Sequence, residues 1–143
     1  LLVPEVVFEE PATSETMGIA YSPQSGVLYE VGTRLTDIDT GDIRVRTDRF
    51  IRGIDLASNE ETFFLIDGMV NKKDQWIDVA TDGANGLVFP VGEIYNDDVE
   101  GAGEIWFNAR ALDEASGETV WDYQDQAKVP SEGGVYQVHA LSQ

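Results

Sequence analysis

The chain has no cysteine, one histidine, and only nine Lys plus Arg against 27 Asp plus Glu; the lysines are Lys72, Lys73 and Lys128. Each shortage excludes something. Without cysteine there are no disulfides, no thiol nucleophile and no zinc–thiolate site. With His139 as the sole imidazole, a nucleophile–base–acid triad has one candidate base. That residue lies on an alternating strand pattern near the C-terminus, where packing or surface exposure is expected. No apolar run approaches the ~18 residues of a membrane-spanning helix. Leu1-Leu2-Val3 is followed at once by Pro4 and acidic residues, too short a run for a signal-peptide core. The shortage of cations excludes general affinity for nucleic acid, which needs Lys and Arg to replace phosphate counterions.

What is present is a packed domain with an acidic surface. The formal net charge is −18 over 143 residues, yet 42% of residues are hydrophobic, with three Trp, six Phe and five Tyr. Disordered acidic chains lack those aromatics, and the length suits one domain with one sizeable core. Such a charge repels itself over about 10 Å at ~0.1 M salt but over only about 3 Å at molar salt. The composition is therefore that expected of a protein built for high salt, from a halophilic source.

The hydrophobic pattern has period two almost throughout, which predicts strands. Val27–Val31, Ile43–Thr47, Phe50–Ile54, Trp76–Ala80, Leu87–Gly92, Ile105–Leu112 and Val135–Leu141 are the clearest segments. Ser22–Gly26, Asp39–Asp42, Asp82–Gly86 and Asn96–Asp98 supply turn chemistry between strands. Thr62–Ile66 is a continuous apolar run, expected to be buried on both faces. Helix is possible only over Leu56–Thr62 or Asp122–Lys128, and both would be short. No repeat at a fixed period is visible. The expected fold is all-β: an antiparallel β-sandwich or β-barrel of short strands with at most one or two short helices. Residues 1–16 are expected to form an extended arm and 17–143 a single β-rich domain.

Arg34, Arg44, Arg46, Arg49 and Arg52 hold most of the positive charge within nineteen positions. One reading is a docking stripe for an acidic partner, since guanidinium pairs with carboxylates bidentately. The other is internal pairing with neighbouring acids such as Asp37, Asp39, Asp42, Asp48 and Asp55. Asp37, Asp39 and Asp42, and separately Asp97 and Asp98, are weak cation-site candidates, because hard cations want clustered oxygens. Neither matches a calcium-loop pattern, and Asp-rich turns, whose side chains bond local backbone N–H groups, are the simpler explanation of both. Trp76, Trp106 and Trp121 offer either core packing or a sugar-stacking platform. No catalytic constellation is expected: Ser22, Ser25, Ser116 and Ser131 lie in turns without a nucleophile-elbow context. Close carboxylate pairs are inevitable among so many acids.

From Gly68 to Ala111 the chain has a distinctive cadence. Asp74–Ala80 leads to the turn Asp82–Gly86, then to Leu87-Val88-Phe89-Pro90-Val91-Gly92, the Asn96-Asp97-Asp98 turn, Gly101-Ala102-Gly103 and a new strand at Glu104-Ile105-Trp106-Phe107. This resembles the small β-rich head-decoration proteins of tailed double-stranded DNA viruses. The resemblance rests on turn chemistry over about a third of the chain, and the acidic segment 113–143 departs from it. It implies a capsid-stabilising role, commonly as a homotrimer, at the surface of a virion, here of a halophilic archaeal virus. It transfers no residue with a chemical role, since such proteins act by adhesion. On that reading the partners are the major capsid protein lattice and copies of the same chain, with no cofactor, nucleic acid or membrane. The Arg segment would face the lattice, and Val6, Val7 and Phe8 in the arm would add a strand to a neighbour. Two other classes stay open: a β-sandwich binding or cell-surface module of a halophile, possibly carbohydrate-binding, and an enzyme.

Overall fold

The computed structural model describes residues 14–37, 46–67, 72–96 and 104–129. Val6, Val7, Phe8, Asp39, Asp42, Arg44, Asp97, Asp98, Ser131 and His139 lie outside the described residues. Eight strands follow in order: β1 (Ser14–Ser22), β2 (Val27–Asp37), β3 (Arg46–Asp55), β4 (Glu60–Asp67), β5 (Lys72–Asp82), β6 (Leu87–Asn96), β7 (Glu104–Asp113) and β8 (Thr119–Val129). β1 to β4 form one antiparallel meander and β5 to β8 a second. A single parallel pair, Thr47 with Lys73, joins them into a continuous ladder. The fold is all-β, a sandwich of two four-stranded sheets. No helix long and apolar enough to cross a membrane occurs among the described residues.

The core lies between the sheets. Val27, Tyr29, Val31 and Ile51 of the first sheet meet Trp76, Val79, Val88 and Leu112 of the second, with Ala20, Phe63 and Leu65 packed around them. Alternation explains the set: Val27, Tyr29 and Val31 point to one face of β2, and the register places Ile51 opposite Val31 on the same face of β3. Three expectations are corrected. Leu56–Thr62 and Asp122–Lys128 are not helical; the first is a turn running into β4 and the second lies in β8. The Thr62–Ile66 run is not buried on both faces. It lies in β4, the last strand of the first meander, where Phe63, Phe64 and Leu65 are half-buried and Ile66 is exposed. β1 begins at Ser14, so the last residues of the expected arm belong to the sheet.

The two meanders are copies of one plan, although no fixed-period repeat is visible in the sequence. β1 and β5 each carry a register shift, between Thr16 and Gly18 and between Trp76 and Asp78. The β3–β4 ladder shifts after Gly53, and the β7–β8 ladder shifts after Ala111. The four hairpin turns among the described residues each carry a left-handed residue near their end: Gly26 (φ 72°), Asn59 (62°), Gly86 (66°) and Gly117 (74°). In the β3–β4 and β7–β8 turns an aspartate oxygen, of Asp55 or Asp113, accepts the backbone N–H groups of the next-but-one residue and its successor. These bonds hold both carboxyls below the usual carboxylate range. Asp55-Leu56-Ala57-Ser58-Asn59-Glu60 thus answers Asp113-Glu114-Ala115-Ser116-Gly117-Glu118.

Gly32 and Gly92 are the tightest matched pair. A Cβ on Gly32 would stand 1.9 Å from the Glu15 backbone oxygen, and one on Gly92 would stand 2.0 Å from that of Gln75. Both glycines face the bulge of the neighbouring strand, where the ladder has no room to give. Gly32→Ala and Gly92→Ala should each cost about 1–3 kcal/mol or more. Urea midpoints measured at fixed high salt would check this, and a neutral result at either position would show that the bulge relaxes.

Candidate functional site

The strongest concentration of polar groups among the described residues lies between the sheets, on the side of the core away from the Gly26, Asn59, Gly86 and Gly117 turns. Ile51 faces inward, so Arg49, two residues earlier on β3, faces inward as well, and it is 3% exposed. Its Nη1 donates to Asn108 Oδ1 at 2.6 Å and its Nη2 to Asp67 Oδ2 at 2.9 Å. Arg110, on β7 of the other sheet, reaches back to the same Asp67 oxygen at 2.7 Å and to Asp122 at 3.1 Å. Asn108, itself fully buried, donates to Asp122 Oδ1 at 2.7 Å and to the Tyr123 carbonyl at 2.9 Å. Trp76 lies beneath both cations: the Arg49 guanidinium sits 3.9 Å and that of Arg110 5.6 Å from its ring centroid.

The arrangement is a clasp. Asp67 takes one guanidinium from its own sheet and one from the opposite sheet. Burial pushes its carboxyl up, but Arg49 and Arg110 outweigh that and hold it below the usual range. Burial likewise lowers Arg49, opposed by the hydrogen bond and charge of Asp67 and by the charge of Asp74. Because the Asp67 value is depressed on folding, the clasp is intact above the ordinary carboxylate range and weakens as pH falls through the depressed value. Asp67 Oδ2 takes both guanidiniums and Asp122 takes Asn108 and Arg110, so the clasp ties the two sheets together.

Tyr29 marks the other contact across the sheets. It is fully buried, and its hydroxyl donates to the Glu114 backbone oxygen at 3.4 Å. Burial and the nearby charge of Glu114 push the phenol up to about 12. A folded value above the unfolded ~10 means that stability is complete below pH 10 and is lost as pH rises towards 12, by ~3 kcal/mol. Tyr29→Phe should remove that alkaline loss at a cost near 1 kcal/mol at neutral pH. Thermal melts from pH 8 to 12 would check it; equal alkaline slopes in the two proteins would contradict it.

Within the Arg segment, Arg49 and Arg52 lie on opposite faces of β3. Arg49 points into the core. Arg52, on the opposite face of the same strand, is 6% exposed and pairs with Glu30, which also accepts from Thr16 Oγ1. Arg34 is half-buried on β2, and Arg46 begins β3. Both described pairings are internal, but neither uses the sequence neighbours expected; Asp67 and Glu30 come from adjacent strands. Asp37 ends β2. Among the described residues no group of three or more His, Asp or Glu is placed to hold a metal.

The tryptophans divide. Trp76 is core and Trp106 is half-buried, while Trp121 is 45% exposed beside Phe89, ring centroids 6.1 Å apart. Tyr123 is 53% exposed and stands 6.4 Å from Phe107. An aromatic shelf therefore lies on the outer face of the second sheet. On the first sheet, Ile19, Tyr21, Met17 and Ile66 are the exposed large apolar residues. Sequence reasoning had grouped the tryptophans but missed the shelf. Its signal is the alternation Trp121, Tyr123 on β8, with Phe89 of β6 beside Trp121. No protein-family model matches the chain, and no curated protein matches its sequence.

Proposed function

We propose that the chain is a non-enzymatic assembly protein, a coat or decoration subunit that adds to a capsid lattice at a virion surface in high salt. The carrying observation is how its side chains are spent. The described Arg49, Arg52 and Arg110 are engaged inside the molecule, whereas large apolar and aromatic side chains remain on the outer faces of both sheets. Contiguous apolar surface of that kind marks an interaction site. At molar salt the repulsion between acidic coats is screened, so apolar contacts dominate adhesion. The test is co-sedimentation in multimolar KCl with purified capsids of a haloarchaeal tailed virus stripped of decoration. Saturable binding at a fixed stoichiometry per capsomer supports the reading; absence of binding at any salt concentration overturns it.

One observation favours a second reading, a carbohydrate-binding surface module. Trp121 and Tyr123 expose ring faces on which sugars stack. Titration with oligosaccharides should then give saturable binding that Trp121→Ala abolishes, and a flat titration removes this alternative.

A further inference from the structure

Asparagine is chemically labile, and most so where the next residue has no side chain to shield its main-chain nitrogen. Asn59, Asn71, Asn96 and Asn108 precede Glu60, Lys72, Asp97 and Ala109, and Asn85 alone precedes a glycine. The fold leaves that pair accessible. Asn85 is exposed in the β5–β6 turn, and a Cβ on Gly86 would meet nothing within 4 Å, so there is open space beside the Gly86 nitrogen. That nitrogen is also loosely held. Its N–H donates to the Gly83 carbonyl at 3.3 Å, beyond the ~2.7–3.2 Å of an ordinary N–H···O bond. The matched turn of the first meander differs on both counts. There the Gly26 N–H donates to the Ser22 carbonyl at 2.9 Å, and the preceding residue is Ser25, which has no carboxamide. Gly26 and Gly86 share nearly the same φ, 72° and 66°, so the two turns are alike in shape and only the second carries this chemistry.

We propose that Asn85–Gly86 is a site of spontaneous deamidation through a cyclic imide, and that Asp82 restrains it. Hydroxide removes the Gly86 amide proton, and the nitrogen attacks Asn85 Cγ. The new N–Cγ bond forms as the Cγ–Nδ2 bond breaks, and ammonia leaves. Water then opens the imide at either carbonyl. One opening gives aspartate at position 85; the other gives isoaspartate, with the main chain routed through Cγ. The restraint is the hydrogen bonding of the carboxamide. Asn85 Nδ2 donates to Asp82 Oδ2 at 2.7 Å, a charge-assisted bond that must be released before Cγ can meet the Gly86 nitrogen. Asp82 also accepts the Asn85 N–H, at its carbonyl at 3.1 Å and at Oδ1 at 3.3 Å. Either product replaces the Nδ2 donor with a second carboxylate facing Asp82. Isoaspartate also lengthens the main chain just before Gly86, whose carbonyl accepts the Glu114 N–H at 2.9 Å and so ties this turn to the β7–β8 turn. The inference does not depend on the coat reading, since the reaction needs no partner.

The test holds the folded full chain in multimolar KCl at mildly alkaline pH and follows it by anion exchange and mass spectrometry. The expected product is more acidic by one charge and heavier by the exchange of NH2 for OH. Fragmentation should place the change between Asp82 and Leu87, with aspartate and isoaspartate both present. Asn85→Ser, which copies Ser25 of the matched turn, should form none of it. Asp82→Ser, which copies Ser22, should stay folded by circular dichroism and convert several-fold faster than wild type. The isolated product should unfold at lower urea than its parent at ~0.1 M KCl, with the gap shrinking in multimolar KCl as the two carboxylates are screened. A folded wild type that stays unchanged while the urea-unfolded chain converts would overturn the proposal, as would conversion confined to another asparagine. Aspartate without isoaspartate would overturn the imide route, and an Asp82→Ser variant no faster than wild type would overturn the restraint.

Discussion

Arg49→Ala is expected to be among the most damaging single changes, costing about 3 kcal/mol, towards the low end of the range for breaking a buried pair. The low end follows from who is left behind. Asp67 keeps Arg110 and has a side chain 41% exposed, so water can replace the lost donor. The heavier losses are the carbonyl oxygen of fully buried Asn108 and the packing of the guanidinium stem over Trp76. Arg49→Met should recover the packing but not the donor, leaving about 1–3 kcal/mol for the orphaned acceptor. Urea unfolding at fixed salt should rank wild type above Met above Ala. An alanine variant as stable as wild type would mean that the clasp contributes nothing net.

Trp76→Ala should cost more, about 3–5 kcal/mol, because it opens a cavity at the centre of the core in addition to losing apolar burial. Trp76 is 2% exposed and touches the apolar cluster on one side and the cations on the other. A desolvated cation–π contact is worth about 2 kcal/mol, so a double-mutant cycle between Arg49 and Trp76 should give a coupling within the ~0.5–3 kcal/mol seen for contacting residues. Trp76→Leu should fall between Ala and wild type. Strict additivity in the cycle would show that the stacking geometry carries no energy of its own.

Much of the local structure was legible in the sequence. Val27–Val31 and Ile105–Leu112 alternate, and the glycines of Ser22–Gly26 and Asp82–Gly86 punctuate them, because side-chain period and left-handed turn residues are local properties. The inward aim of Arg49 was legible in principle, since a strand read without a break through Arg46–Asp55 puts Arg49 on the face of Ile51. Its partners were not, because Asp67 and Asn108 come from other strands. The duplication was hidden for a physical reason. The Gly26–Gly86 spacing differs from the Asp55–Asp113 spacing, and some matched positions differ in burial, as with half-buried Phe63 against exposed Trp121. Many strand positions therefore changed character, as with Phe64 in β4 against Asp122 in β8, while the turn residues Ala57, Ser58 and Glu60 and a few strand residues such as Gly32 stayed the same.

By itself, the sequence determined that this is a cysteine-free, strongly acidic, all-β domain whose strands break at glycine and aspartate turns. Composition and nearest neighbours along the chain suffice for that. Only the tertiary structure decided that Arg49 turns inward to Asp67 while Arg52, on the other face of β3, pairs with Glu30, that Thr62–Ile66 ends a meander, and that two meanders of one plan pack against each other. Those outcomes depend on which strands become neighbours, and burial against a distant segment carries no mark in the residues that undergo it.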